Sequence, residues 1–158
     1  MFSPTCQYAV RALVHLAQHE AGRAVLARDI AVAEEIPRQF LSKILHQLGQ
    51  KGLVRSQKGP GGGFMLARPA SVLTLGEIIT AVDGSQDLSR RCILGLEECS
   101  DVASCALHDA WKIFRTQYES TIAALTLRDI AGMLERKRAQ HHDSSFSIPF
   151  RTRPGGAS

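Results

Sequence analysis

A glycine-rich tip between two short apolar runs limits the fold of this chain more than any other stretch. Leu53-Val-Arg55 and Phe64-Met-Leu66 flank the segment Ser56-Gln-Lys-Gly-Pro-Gly-Gly-Gly63, whose last five positions hold four glycines. Two strand-like trios around such a tip predict a small β-hairpin, because glycine reaches positive φ at no steric cost and lets backbone pass close to a neighbour. A glycine-rich loop can also cradle a nucleotide phosphate, but a P-loop ends in Lys-Ser/Thr and opens a helix. This one runs straight on into Phe64-Met-Leu66, so the nucleotide reading is rejected.

What precedes the hairpin defines its role. Tyr8, Ala9, Ala12, Leu13, Leu16 and Ala17 form a helical stripe from Pro4 to about His19, with Ser3 as N-cap and Pro4 in the first turn. A shorter helix follows from Leu26 to Ala33, then a break at Glu34-Glu35-Ile36-Pro37, then a helix from Pro37 to Lys51. Two helices across a turn of three or four residues make a helix-turn-helix, whose second member is the recognition helix. With the hairpin as its wing, the first half is expected to be a winged helix-turn-helix. The polar side of the recognition helix offers Arg38, Gln39, Ser42, Lys43 and His46 to DNA; the wing offers Arg55, Lys58, Gly59, Gly61 and Gly62. Charge agrees in sign. Residues 1–70 hold nine Lys/Arg against four Asp/Glu, whereas residues 71–138 hold eight against ten, so the basic excess lies where phosphates would be met.

Thr74-Leu-Gly-Glu77 reads as a capping box that opens another helix, ended by Asp83-Gly84. A long helix is predicted from near Ser104, striped by Leu107, Trp111, Phe114, Tyr118, Ile122 and Leu125. So strong a stripe outside a complete small module predicts pairing with a second copy; packing back on its own domain is the alternative. Thr126-Leu-Arg-Asp129 caps a last short helix through Ile130 and Leu134, and residues 139–158 have no period and read as a disordered tail. The expected organisation is a DNA-binding domain over residues 1–83, a cysteine-bearing sensor loop over 84–104, the dimerisation helix and terminal short helix over 105–138, and the tail over 139–158. The fold class is mainly α: a winged helix-turn-helix with a small β-hairpin wing plus a long C-terminal dimerisation helix.

Three of the four cysteines, Cys92, Cys99 and Cys105, fall between Arg91 and Asp109, separated by six and five residues, and His108 follows the last by three. The start of the chain lacks a signal-peptide pattern and no apolar run of about 18 residues could cross a membrane. A cytoplasmic protein with reduced thiols is expected, in which clustered cysteines serve as metal ligands or redox sensors rather than as structural disulfides. A Cys₃His zinc site has suitable ligand types, although zinc knuckles are usually tighter; a metal-free thiol switch is a further reading. An electron carrier would explain the cysteines but leave the winged helix without purpose. No Ser/His/Asp set, carboxylate pair or cofactor fingerprint points to an enzyme or to a small-molecule substrate.

The wing KGPGGGFMLAR, the capped TLGEIITAVDG helix and the three-cysteine loop, in that order, resemble the IscR/NsrR family of iron–sulfur winged-helix transcriptional regulators, over about residues 2–135. The resemblance implies a homodimer that binds palindromic double-stranded DNA. It also implies a loop holding an iron–sulfur cluster, 2Fe–2S or 4Fe–4S with the first preferred, that reports iron, redox or nitric oxide status. It makes Cys92, Cys99 and Cys105 cluster ligands, with His108 at the place where IscR-like members use a histidine. NsrR-like members instead take an acidic residue from the first helix of the other subunit; the matching position is near Gln7, beside Cys6. Two departures stand out. Lys58 occupies a wing position often held by arginine, and the first cysteine gap is six residues rather than five.

Overall fold

The computed structural model describes residues 2–84, 92–97 and 99–140; of the expected tail over 139–158, Ala139 and Gln140 are described and helical, and the rest lies outside the described residues. Six helices and one two-stranded antiparallel sheet follow in the order α1 (Pro4–Ala17), α2 (Ala27–Ala33), α3 (Arg38–Gln50), β1 (Val54–Gln57), β2 (Gly63–Leu66), α4 (Leu75–Asp83), α5 (His108–Ala124) and α6 (Leu127–Gln140). This is the mainly helical winged-helix architecture that the sequence predicts.

Helix α1 is the hub, packing against α3, α4, α6 and β2. The Ser3 hydroxyl accepts from the Cys6 amide and itself bonds Asp83 at the end of α4, so the cap also ties two helices together. Inward-facing Ala9, Ala12, Leu13 and Leu16 meet Ile30, Leu41, Leu45 and Leu48 in one continuous core. In the turn between α2 and α3, Glu35 takes a left-handed φ of 50°, a conformation more usual for glycine or asparagine after a helix. That turn drops Ile36 into the core, and the Ile36 amide reaches back to the Ala31 carbonyl at 2.9 Å.

The wing pairs Val54 with Leu66, Arg55 with Met65, Ser56 with Phe64 and Gln57 with Gly63. A third segment joins it, since Val25 and Phe64 exchange both backbone hydrogen bonds at 2.8 Å. This crossing explains Gly63, which has φ 148° and whose added Cβ would lie well inside contact distance of the Val25 carbonyl. Gly63→Ala should therefore cost about 3 kcal/mol of unfolding stability, measured by urea titration. Gly61→Ala, at φ 75° in open space, should cost about 1 kcal/mol. Equal losses would show that the Val25 crossing does not hold the wing in place.

The capping box of α4 forms in full: the Glu77 amide donates to the Thr74 hydroxyl, and the Thr74 amide donates to the Glu77 carboxylate. That backbone bond, joined by Arg68, draws the Glu77 carboxyl below its ordinary pKa. The C-terminal part departs from expectation in two ways. First, α5 begins at His108, not near Ser104. The Cys105 amide N–H, ahead of the helix, points at the Cys99 sulfur. Second, α6 is neither short nor peripheral: it has 14 residues, reaches Gln140, and buries Leu127 and Ala131 against the core around α1. Backbone bonds from Leu127 to Leu73 (2.8 Å) and from Arg128 to Ala70 (3.1 Å) sew its start to the segment before α4.

Candidate metal centre and nucleic-acid interface

On α3, Leu41, Ile44, Leu45 and Leu48 are buried and Arg38, Gln39, Ser42, Lys43 and His46 are exposed. The helical period thus turns all five predicted contact residues to one accessible side. The Ser42 hydroxyl donates to the Arg38 carbonyl at 3.0 Å, and the His46 ring faces the Gln50 amide at 3.1 Å. Phe40, near the start of α3, is half exposed at the flank of the buried face.

The wing residues divide. Lys58, Gly59 and Gly61 are exposed at the tip, but Gly62 is buried. Its amide bonds the Gly59 carbonyl at 2.9 Å, and an added Cβ would sit 2.8 Å from that oxygen. Gly62 therefore closes the turn, and its side of the tip is buried where the flanking Gly59 and Gly61 are exposed. Arg55 lies down the strand opposite Met65, beside a hollow of about 280 Å³ whose lining includes Leu16, Arg23 and Arg68.

The cysteine loop brings together residues that are far apart in sequence. The sulfurs of Cys92, Cys99 and Cys105 all lie within 4.8 Å of one another, with Cys92 and Cys105 at 3.7 Å. Two thiolates on one tetrahedral ion at about 2.3 Å would stand roughly 3.8 Å apart, so that pair already has the spacing of shared ligands. Burial opposes ionisation of Cys92, but amide N–H groups of Leu96 and Leu94 and the thiols of Cys105 and Cys99 outweigh it and draw its pKa down to about 7. Amides aimed at sulfur are also what a thiolate-held metal or cluster requires. The donor set fits such a group.

His108 stands at the edge of the thiol group, at the first residue of α5. It is 8% exposed, its Nδ1 is 3.1 Å from the Cys99 sulfur, and its Nε2 is 2.9 Å from Asp101 Oδ1. The Lys112 ammonium, one helical turn along α5, holds both oxygens of Asp101 at 2.7 and 2.8 Å. Lys112 first, and His108 with it, pull the Asp101 carboxyl down to about 2. Asp101 and Lys112 went unnoticed in the sequence. The His108–Lys112 spacing of four was a usable signal, whereas Asp101 sits in a loop without periodicity. Cys6 behaves differently. It is fully buried with Leu75 and Ile79, and desolvation, with the charge of Asp83, pushes its thiol up to about 11. A thiol so placed packs as a small apolar side chain and is not presented to a partner subunit.

The stripe on α5 also divides. Ile122 and Leu125 pack with Cys6, Leu75 and Ile79 of their own domain, and the Leu75 amide bonds the Leu125 carbonyl at 2.9 Å. Tyr118 is half-buried. Leu107 and Phe114 are exposed, together with Ile113, and the rings of Trp111, Phe114 and Tyr118 stack in sequence at 5.5 and 6.4 Å. Ile93, Leu107, Ala110, Trp111 and Phe114 line an apolar groove of about 430 Å³, so the residue after Cys92 shares a surface with the exposed half of α5. No helix among the described residues is long and apolar enough to cross a membrane.

Comparison with known proteins supplies independent constraints. The family described as Rrf2, iron-dependent transcriptional regulator, matches residues 2–132. The HTH-type transcriptional regulator IscR of Yersinia enterocolitica is 33% identical over 141 residues, covering 87% of this chain and 85% of that protein. Among solved structures, T. potens IscR is 26% identical at a TM-score of 0.66, covering 89% of this chain and 90% of the other. CymR, the global cysteine regulator of B. subtilis, has a TM-score of 0.69 at 22% identity, covering 84% and 97%; that likeness concerns the fold alone.

Proposed function

The chain belongs to the Rrf2 family of transcriptional regulators, and from that premise we propose a homodimeric DNA-binding regulator whose hold on a palindromic operator is set by a 2Fe–2S cluster on Cys92, Cys99, Cys105 and His108. Its relatives are transcriptional regulators rather than enzymes, and a cytoplasmic site of action follows from that role. The observation that carries the reading is the convergence of three thiols and a histidine on the loop that leads from the DNA-binding half into α5. The four donors fall into two close pairs, Cys92 with Cys105 and Cys99 with His108. Two donors for each of two irons is the ligation of a 2Fe–2S centre, with histidine in place of one thiolate. When bound, such a cluster supplies chemistry that responds to iron supply, oxidants or nitric oxide.

The protein's own residues transmit the change. Drawing Cys92 and Cys105 together fixes Ile93 and Leu107, which border the same groove as Trp111 and Phe114. If a second copy packs on that face, loop geometry sets the separation of the two recognition helices and hence the half-site spacing that the dimer can read. Arg38, Gln39, Ser42, Lys43 and His46 then meet base edges, and Lys58 at the wing tip meets phosphate or minor groove. Lys58→Ala should weaken binding to every DNA sequence several-fold and lower the slope of log affinity against log salt by about 0.9 for each lost phosphate contact. A titration in which neither changes would remove the wing from the interface.

A single zinc ion on Cys₃His is the second reading, favoured by the Cys92–Cys105 separation. Anaerobic purification with an absorption spectrum and iron, sulfide and zinc analysis separates the two. Visible bands with matching iron and sulfide support the cluster. Colourless protein with stoichiometric zinc makes the loop a structural staple and overturns the sensor.

A further inference from the structure

His108 is engaged through both ring nitrogens, and the two engagements are chemically unlike. Nδ1 faces the Cys99 sulfur at 3.1 Å, and Nε2 faces a carboxylate oxygen of Asp101 at 2.9 Å. A carboxylate can only accept, so the ring hydrogen belongs on Nε2 and the lone pair of a neutral imidazole lies on Nδ1, toward the thiols. Asp101 is in turn clamped by the Lys112 ammonium through both oxygens. The ring is nearly buried while the Asp101 side chain is 70% exposed, so an alternative histidine orientation would leave a ring nitrogen without its partner in a closed site. Lys112 lies one turn beyond His108 on α5, so the clamp also ties the cysteine loop to the helix that carries the exposed apolar face.

We propose that Asp101, braced by Lys112, is a positioning residue that fixes His108 as the Nε2–H tautomer and so makes Nδ1 the ligand atom offered to the metal centre. The inference rests on the reading of His108 as a ligand, and it adds what selects the nitrogen and orients the ring. Carboxylates behind metal-bound histidines raise ligand basicity as well as fixing the tautomer. Asp101 should therefore stabilise the oxidised state of a redox-active centre, and its loss should raise the reduction potential.

The test uses the full chain and the variants Asp101→Asn, Asp101→Ala and Lys112→Met. Asp101 and Lys112 are exposed enough for these changes to leave the core untouched. Long-range ¹H–¹⁵N spectra of the metal-free protein read the His108 tautomer directly. Wild type should show Nε2–H alone, Asp101→Ala a mixture of tautomers, and Lys112→Met an intermediate result. In protein reconstituted with iron and sulfide, histidine labelled only at Nδ1 should show a strong nitrogen coupling to the reduced cluster. That coupling should fall at least two-fold in Asp101→Ala, with a rise in potential. A tautomer, coupling and potential all unchanged in Asp101→Ala would overturn the positioning role while leaving the cluster reading intact. A wild-type cluster without any histidine coupling would overturn His108 as ligand and the inference with it. Wild-type protein that takes up no cluster would overturn the proposed function itself, whatever the tautomer.

Discussion

Phe114→Glu is expected to turn the proposed dimer into a monomer and to lower operator affinity by a factor on the order of 100 or more, because a monomer forfeits the second, effectively intramolecular binding event. Phe114 is 58% exposed in the middle of the Trp111–Phe114–Tyr118 stack, so a charge there costs little within one chain. The same charge buried between two copies would be desolvated without a partner, which costs several kcal/mol by the general price of an unpaired buried charge. Sedimentation velocity reads the association state. Gel-shift titration over a salt series reads the affinity, and the salt slope should fall to about half because half the phosphate contacts are lost. Ile122→Ala provides the contrast: Ile122 packs within its own domain, so this change should remove about 1–2 kcal/mol of unfolding stability and leave the proposed pairing intact. A Phe114→Glu protein that still sediments as a dimer and still holds the operator would place the pairing surface elsewhere.

Cys92→Ala, Cys99→Ala and Cys105→Ala are each expected to reduce bound iron and sulfide at least ten-fold in protein purified without oxygen. With the three thiols and His108 as the proposed donors, each cysteine substitution would remove one of the four ligands that would hold the cluster. His108→Ala should be milder, since water or a small anion can take an open position beside Cys99 and the three thiols remain. In DNA titrations the three cysteine variants should behave alike and differ from the cluster-loaded wild type. If all three bind every site as the wild type does, the loop is not a switch, whatever metal it holds. Cys6→Ala should leave iron content unchanged and show its cost in unfolding, as expected for a side chain enclosed by Leu75 and Ile79.

Much of the fold was legible along the chain because its signals are local. The Ser3 cap, the Thr74–Glu77 capping box and the Thr126–Asp129 cap each need only residues within three positions of one another, and all three form. The polar face of α3 follows from a 3.6-residue period, and the exposed set Arg38, Gln39, Ser42, Lys43 and His46 matches it. The wing was readable from glycines between apolar trios, yet the division of labour among those glycines was not. Gly62 packs within its own turn against Gln57 and Gly59, whereas Gly63 lets Val25 cross, a segment that periodicity does not connect to the wing.

The amino-acid order by itself determined which residues could form helices, where they cap, which side of α3 meets solvent, and that three thiols and a histidine lie on one loop. Local propensity and periodicity are enough for that, since each acts over a turn or two of chain. Tertiary structure decided how the α5 stripe is shared. Ile122 and Leu125 meet α1 and α4, and the ring stack before them stays accessible, because burial depends on which neighbours arrive and not on the stripe itself. It also decided that α6 completes the core of the winged helix, and that Cys6 is enclosed while the other three cysteines converge. Asp101 reached His108 in a similar way: the two are only seven residues apart, but the intervening loop has no period, so its fold and not a sequence pattern sets their distance.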